Sequence, residues 1–196
     1  MFGGFSVRST STWSVRAIVG TMMPILVVLS LLEMGSGFVL QELEETFLTR
    51  PTLLILVPVM IAMGGNLGAI LSSRLSTRLH LGTLEFSPRN PVILKNVLAI
   101  LALAVTVFTA LGFAAYAVGR IPLIDVGGGM TLSETVTISL VSGVILAVLV
   151  VGLSISATYF SYRLGFDPDD TTIPIVTNLC DILGVVVLTV VALVVL

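Results

Sequence analysis

Charge is what this sequence has least of. Only 10% of its 196 residues are charged, whereas a soluble domain carries about a quarter, so an ordinary soluble protein is excluded. A single cysteine, Cys180, excludes a disulfide scaffold. The formal net charge of −2 leaves no strongly basic surface for nucleic acid. Low-complexity tracts are absent, which excludes a fibrous or disordered chain. What is present is apolar, at 56% hydrophobic residues with a mean hydropathy of +1.15. That composition fits a multi-spanning membrane protein. About five spans of ~20–25 residues with short loops use nearly the whole chain, leaving no room for a soluble catalytic or sensing domain.

Five apolar stretches are read as spans: Ala17–Leu40, Thr52–Ser72, Pro91–Val118, Leu132–Phe160 and Ile173–Leu196. Lipid offers no partners to backbone polar groups, so helices are expected. The alternating segments of about ten residues that a barrel needs are absent. The fold class is therefore an all-α membrane protein of five transmembrane helices. Residues 1–16 read as a short cytoplasmic segment, since the first stretch is long, contains Glu33 and lacks a signal-peptide cleavage site. With the N-terminus inside, Arg8, Arg16, Arg74, Arg78, Arg89, Lys95 and Arg163 fall on the inner side and only Arg50 and Arg120 outside. The positive-inside rule thus puts the N-terminus inside and the C-terminus outside. Trp13, Tyr116, Tyr159 and Tyr162 lie near span ends, where aromatic belts form. Glu42, Glu44 and Glu45 read as an acidic outer loop, Gly127–Gly129 as an outer turn, and Arg74–Asn90 as the longest inner loop.

The informative residues are those a membrane helix avoids: Glu33, Asn66 and Asp181. An ionisable group at the bilayer centre costs at least ~2.5–3.5 kcal/mol on insertion scales, so such groups face a bundle interior or a watery path. Thr177 and Asn178 lie four and three residues before Asp181 on one helix face, with Pro174 a further turn back. In the second span Pro58 is expected to kink the helix, and Gly64-Gly65-Asn66-Leu67-Gly68 to weaken it, freeing carbonyls of the kind that ligate ions in transporters. Pro24 and Glu33, Pro58 and Asn66, and Pro174 and Asp181 share a spacing that hints at a repeat. Hard oxygen donors without a Cys/His cluster suit magnesium, calcium or manganese. Magnesium keeps most of its waters and is bound through one or two carboxylates, so a single Asp per chain fits if a two-fold axis supplies another.

Plainer roles stand beside these. Gly64-x-x-x-Gly68 permits close helix packing. Glu33 can pair with an arginine or serve, protonated, as a structural donor. Asp167, Asp169 and Asp170 can cap the last helix, with Thr171 or Thr172 and Pro174 in its first turn. His80 reads as a loop histidine and Cys180 as a packed thiol.

Gly65-Asn66-Leu67-Gly68 followed by Ser73-Arg74-Leu75-Ser76-Thr77 resembles the signature of the eukaryotic solute-carrier family of magnesium transporters, and Pro58 with the glycine pair resembles the bacterial MgtE family. The run Asp167-Pro168-Asp169-Asp170, Pro174 and Asp181 is similar to the opening of their last helix. The resemblance spans about residues 15–196 and identifies 17–196 as an MgtE-type transmembrane domain. It implies that Asp181 lines a central pore and holds hydrated Mg2+ at a two-fold axis, with Asn66 beside it. Gly64, Gly65, Thr177, Asn178 and Glu33 complete the implied site. Asp167, Asp169 and Asp170 are candidates for a secondary cation site at the inner mouth. Only about 15 residues precede the first span, so no cytosolic sensor of the bacterial kind is expected in this chain. It reads as one five-helix half, pairing as a homodimer or as a heterodimer with a homologous half.

The expected function is transport of a divalent cation, Mg2+ foremost and Mn2+ or others after it, across the cell membrane, with lipid and a second half as partners and no nucleic acid. The alternative is a non-transporting membrane subunit that pairs with an active sister half. An enzyme is not expected: the D-x-x-D-G pattern of lipid phosphotransferases, a catalytic triad and a phosphate loop are all missing.

Overall fold

The structure, a computed structural model, describes residues 15–42, 44–84, 87, 90–121 and 130–196. Arg8, Trp13, Glu85, Arg89 and residues 127–129 lie outside the described residues. The described chain forms six helices: α1 (Val15–Glu42), α2 (Glu44–Thr49), α3 (Thr52–His80), α4 (Pro91–Val118), α5 (Leu132–Arg163) and α6 (Pro168–Val195). No strand occurs among the described residues. Five of the helices are long and apolar enough to cross a membrane, so the chain is read as a multi-pass membrane protein.

Local chemistry sets the helix ends. Asn90 caps α4 by accepting from the backbone N–H of Val92 at 2.9 Å, with Pro91 in the first helical position. Thr131 and Glu134 form a reciprocal capping box on α5. Asp167 caps α6 by accepting from the N–H of Asp169 at 3.0 Å, and Pro168 follows. Thr171 lies in the opening turn, but Pro174 stands beyond it, so the helix begins earlier than Ile173.

α3 and α5 also outrun their expected ends, reaching His80 and Arg163. Each stops at a glycine with positive φ, Gly82 at 64° and Gly165 at 77°. Around each, two backbone bonds close a Schellman motif: Gly82 to Leu79 and Thr83 to Arg78, Gly165 to Tyr162 and Phe166 to Ser161. The loop after α3 is correspondingly shorter than expected. The connection after α1 contains a short helix, α2, with Glu44 and Glu45 in its first turn.

α3, α5 and α6 pack against one another, α4 lies on α5, and α1 lies on α6. Small residues set these approaches, since lipid tails are as apolar as the helices and offer no hydrophobic drive for association. A Cβ on Gly143 would run into the ring of Phe108, and one on Gly68 into Val176. One on Gly112 would stand 2.8 Å from the Cα of Val136. Buried hydroxyls add bonds across helices, Ser139 donating to the Phe108 carbonyl at 2.7 Å and Ser154 to the Gly68 carbonyl at 3.4 Å.

The expected break in the second span is not there. α3 is helical throughout, with Pro58 on its exposed face and Gly64, Gly65 and Gly68 buried. The glycines are spent on contact with α5 and α6, and that packing holds the backbone helical despite their low propensity. At the helix ends Arg120 lies 4.9 Å over the Tyr116 ring, and Arg163 donates to the Tyr159 hydroxyl at 2.9 Å, the aromatic and basic pairing of membrane interfaces.

Candidate cation site

Asp181 lies at the middle of α6, thirteen residues past Pro168 and fourteen before Val195. At about 1.5 Å per residue that is about 20 Å of depth, deeper than a helix beginning at Ile173 would place it. Asn66 is equally central, fourteen residues from each end of α3. Close contacts fix the relative register of the two antiparallel helices. Gly65 faces Thr177 at 3.6 Å, Gly64 faces the Cβ of Cys180 at 3.5 Å, and Gly184 meets the backbone of Met60 and Ile61 at 3.5 Å, each distance taken to or from an added Cβ. Cys180 is buried, as a packed thiol should be.

α6 brings Glu33 into the site. The carboxyl of Glu33 on α1 faces that of Asp181 within hydrogen-bonding reach. Both groups are half-buried, as are Thr177 and Asn178 one turn earlier. The donors of those two residues turn back to their own helix. Thr177 donates to the carbonyls of Ile173 at 3.0 Å and Pro174 at 3.1 Å, and the Asn178 amide donates to Pro174 at 3.1 Å. Their side-chain oxygens keep lone pairs for a cation or its water. Two carboxyls in contact at membrane depth repel unless a proton or a cation lies between them.

The expected site residues therefore divide. Asp181 meets Glu33 between α1 and α6, and Thr177 and Asn178, also half-buried, stand one turn earlier on α6, Thr177 against Gly65 of α3. Gly64 and Gly65 are buried and let α6 approach α3. Asn66 does not join these groups: its side chain is on the exposed face of α3. That Asn66 falls within a span was legible in the sequence, but the face it presents was not, because which side of a helix meets its neighbours is a matter of packing.

At the end of the bundle where α3 finishes and α6 begins, His80 Nε2 lies 3.8 Å from Asp167 Oδ1. With Asp169 these residues offer ligand atoms all within 4.8 Å of one another, every one exposed. His80 thus ends α3 rather than sitting in a loop, and it accompanies Asp167 and Asp169; Asp170 is not in that group. Only a helix running on past Ser72 brings the histidine to the aspartates, and Gly82 was the available sign of it.

A bundle of five apolar helices, holding facing carboxyls and neutral oxygens at mid-helix, has the build of a membrane cation-transport protein. Residues 57–191 match the family model of MgtE divalent cation transporters, and the chain belongs to that family. A curated relative, "Solute carrier family 41 member 2" of Mus musculus, is 28% identical over 172 residues, covering 79% of this chain and 27% of the relative. The chain thus spans about a quarter of that protein's length.

Proposed function

We propose that this chain is one five-helix half of a dimeric channel or transporter for divalent cations, with Mg2+ as the principal substrate. The observation that carries this reading is the contact of Asp181 with Glu33, one turn from the oxygens of Thr177 and Asn178, in the middle of helices long enough to span a membrane. Family membership supports divalent-cation transport.

Magnesium gives up its water reluctantly, so a spread of carboxylate, amide and hydroxyl oxygens suits the hydrated ion better than a tight cage does. Asp181 supplies the charge that draws the ion into a low-dielectric path. Glu33 adds a second carboxyl, and Thr177 and Asn178 accept hydrogen bonds from the ion's water. Mn2+ and other ions that favour oxygen ligands follow as weaker substrates.

The half-buried polar groups and the exposed Asn66 support a second half. Polar groups facing hydrocarbon are costly, and burial against a partner removes that cost. Two-fold symmetry is the commonest way to supply one. Asp181 from each half then meets near the axis, and two such carboxylates neutralise a divalent ion. Five arginines and lysines among the described residues lie at the His80 end and two at the other, which supports an inner face there, the N-terminus inside and the C-terminus outside; the cell membrane is the proposed location.

Purified protein in liposomes loaded with a Mg2+ indicator tests the proposal. Uptake by the wild type, lost in Asp181→Asn while the dimer persists in native mass spectra, is the expected result. Uptake unchanged by that substitution rejects the site. Monomers alone, in mild detergent and in lipid, reject the dimer. Flux only after adding a homologous half makes the assembly a heterodimer.

A further inference from the structure

The structure points to a second binding site, for a phosphate-bearing anion, at the membrane surface. Arg74 and Arg78, one turn apart near the end of α3, converge with Lys95 in the second turn of α4 on a cavity of about 220 Å³, completed by Val92 and Asn96. Among the described residues no carboxylate lines this cavity, and none of the three cations forms an ion pair; the ion pair present, His80 with Asp167, lies elsewhere. Three like charges gathered without a counter-charge repel one another, and an anion between them removes that repulsion. The N-terminus of α4 begins beside the cavity at Pro91, so the positive end of its dipole adds to the attraction. The Asn96 amide donates to the Val92 carbonyl at 2.8 Å, which fixes that side of the cavity.

Depth distinguishes this cluster from scattered surface charge. α3 has 29 residues, which at about 1.5 Å each make about 43 Å, the thickness of a bilayer with its headgroups. Arg74 and Arg78 are six and two residues from the His80 end, at the level of lipid phosphates. On the adjoining flank of α4 a cavity of about 570 Å³ opens towards α5, lined by Ile93, Leu94, Val97, Ile155 and Phe160 among others. Its apolar wall suits an acyl chain whose headgroup phosphate reaches the basic cavity. The shared chemistry is a phosphate mono- or diester held by two guanidinium forks and an ammonium; its source is an anionic lipid or a free phosphate.

Two arms separate the sources. Wild-type protein in nanodiscs of equal phosphatidylglycerol and phosphatidylcholine is released for native mass spectrometry, and retained lipids are counted. In parallel, thermal unfolding in pure phosphatidylcholine is followed with and without inorganic phosphate. Preferential retention of phosphatidylglycerol, reduced about fivefold by Lys95→Gln and about a hundredfold by Arg74→Gln, Arg78→Gln and Lys95→Gln together, supports a lipid site. Stabilisation by inorganic phosphate, lost in the same variants and without lipid preference, supports a free anion. Should the triple variant fail to fold, Lys95→Gln and the fall of wild-type retention with rising salt decide the matter. Neither lipid preference nor phosphate stabilisation in the wild type, or retention indifferent to these substitutions and to salt, overturns the inference. The readout is anion retention rather than Mg2+ flux, so failure here is distinct from failure of the transport proposal.

Discussion

Glu33 and Asp181, far apart in sequence, bring their carboxyl groups into contact between α1 and α6. A cation seated between them interacts with both at once, so the two side chains act as a unit and their losses should not add. Asp181→Asn is expected to lower Mg2+ uptake in liposomes by about tenfold or more, the equivalent of ~1.4 kcal/mol of lost attraction. Glu33→Gln should cost less, and the double variant little more than Asp181→Asn alone. Additive losses would place Glu33 outside the ion's path.

Asn66 stands at the same depth on an exposed face. If a second half covers that face, Asn66→Leu should reduce flux several-fold while the helical content of the protein is retained. Wild-type transport by this variant, measured in the same liposomes, would leave the Gly-Asn run with a packing role alone.

The glycine contacts make a prediction about stability. Gly143→Ala drives a methyl into Phe108, and Gly112→Ala drives one to 2.8 Å from the Cα of Val136. Each is expected to destabilise the bundle by ~1–3 kcal/mol, lowering the melting temperature in detergent. Gly152 has nothing within 4 Å of an added Cβ, so Gly152→Ala should be neutral or mildly stabilising through helix propensity. Equal melting temperatures for Gly143→Ala and Gly152→Ala would contradict the packing described.

At the mouth of α6, Asp169 and Asp170 lie in the first turn while Asp167 caps it. Replacing Asp169 and Asp170 by asparagine leaves the cap in place and removes two charges. If the mouth concentrates cations, flux should fall at low ionic strength and recover at high salt, where charges are screened within ~3 Å at 1 M. If instead a cation there regulates transport, the same change should relieve inhibition by high internal Mg2+. A variant with neither effect leaves only helix capping.

Much of the molecule was open to reading from the chain alone. Pro91–Val118 came out with its observed bounds, because an Asn-Pro start and an unbroken apolar run are local signals. The ends of α3 and α5 were read short, since polar residues such as Ser73, Arg74 and Ser161 look like loop when hydrophobicity alone marks a span. The positive-φ glycines Gly82 and Gly165 were the signs that the helices continue.

The sequence by itself determined the class of the protein, the number of its spans and the placing of Glu33, Asn66 and Asp181 within them. Apolar length and the cost of buried charge are properties a chain carries along its own axis. Only the tertiary structure decided which of those polar groups meet. α1 lies on α6 and sets Glu33 against Asp181, the small residues of α3 draw α6 close and keep α3 unbroken, and Asn66 is turned to the outside. Those outcomes follow from the rotation of one helix about another. That rotation is set by where glycine and serine let backbones approach, a relation between distant segments that the periodicity of one segment does not contain.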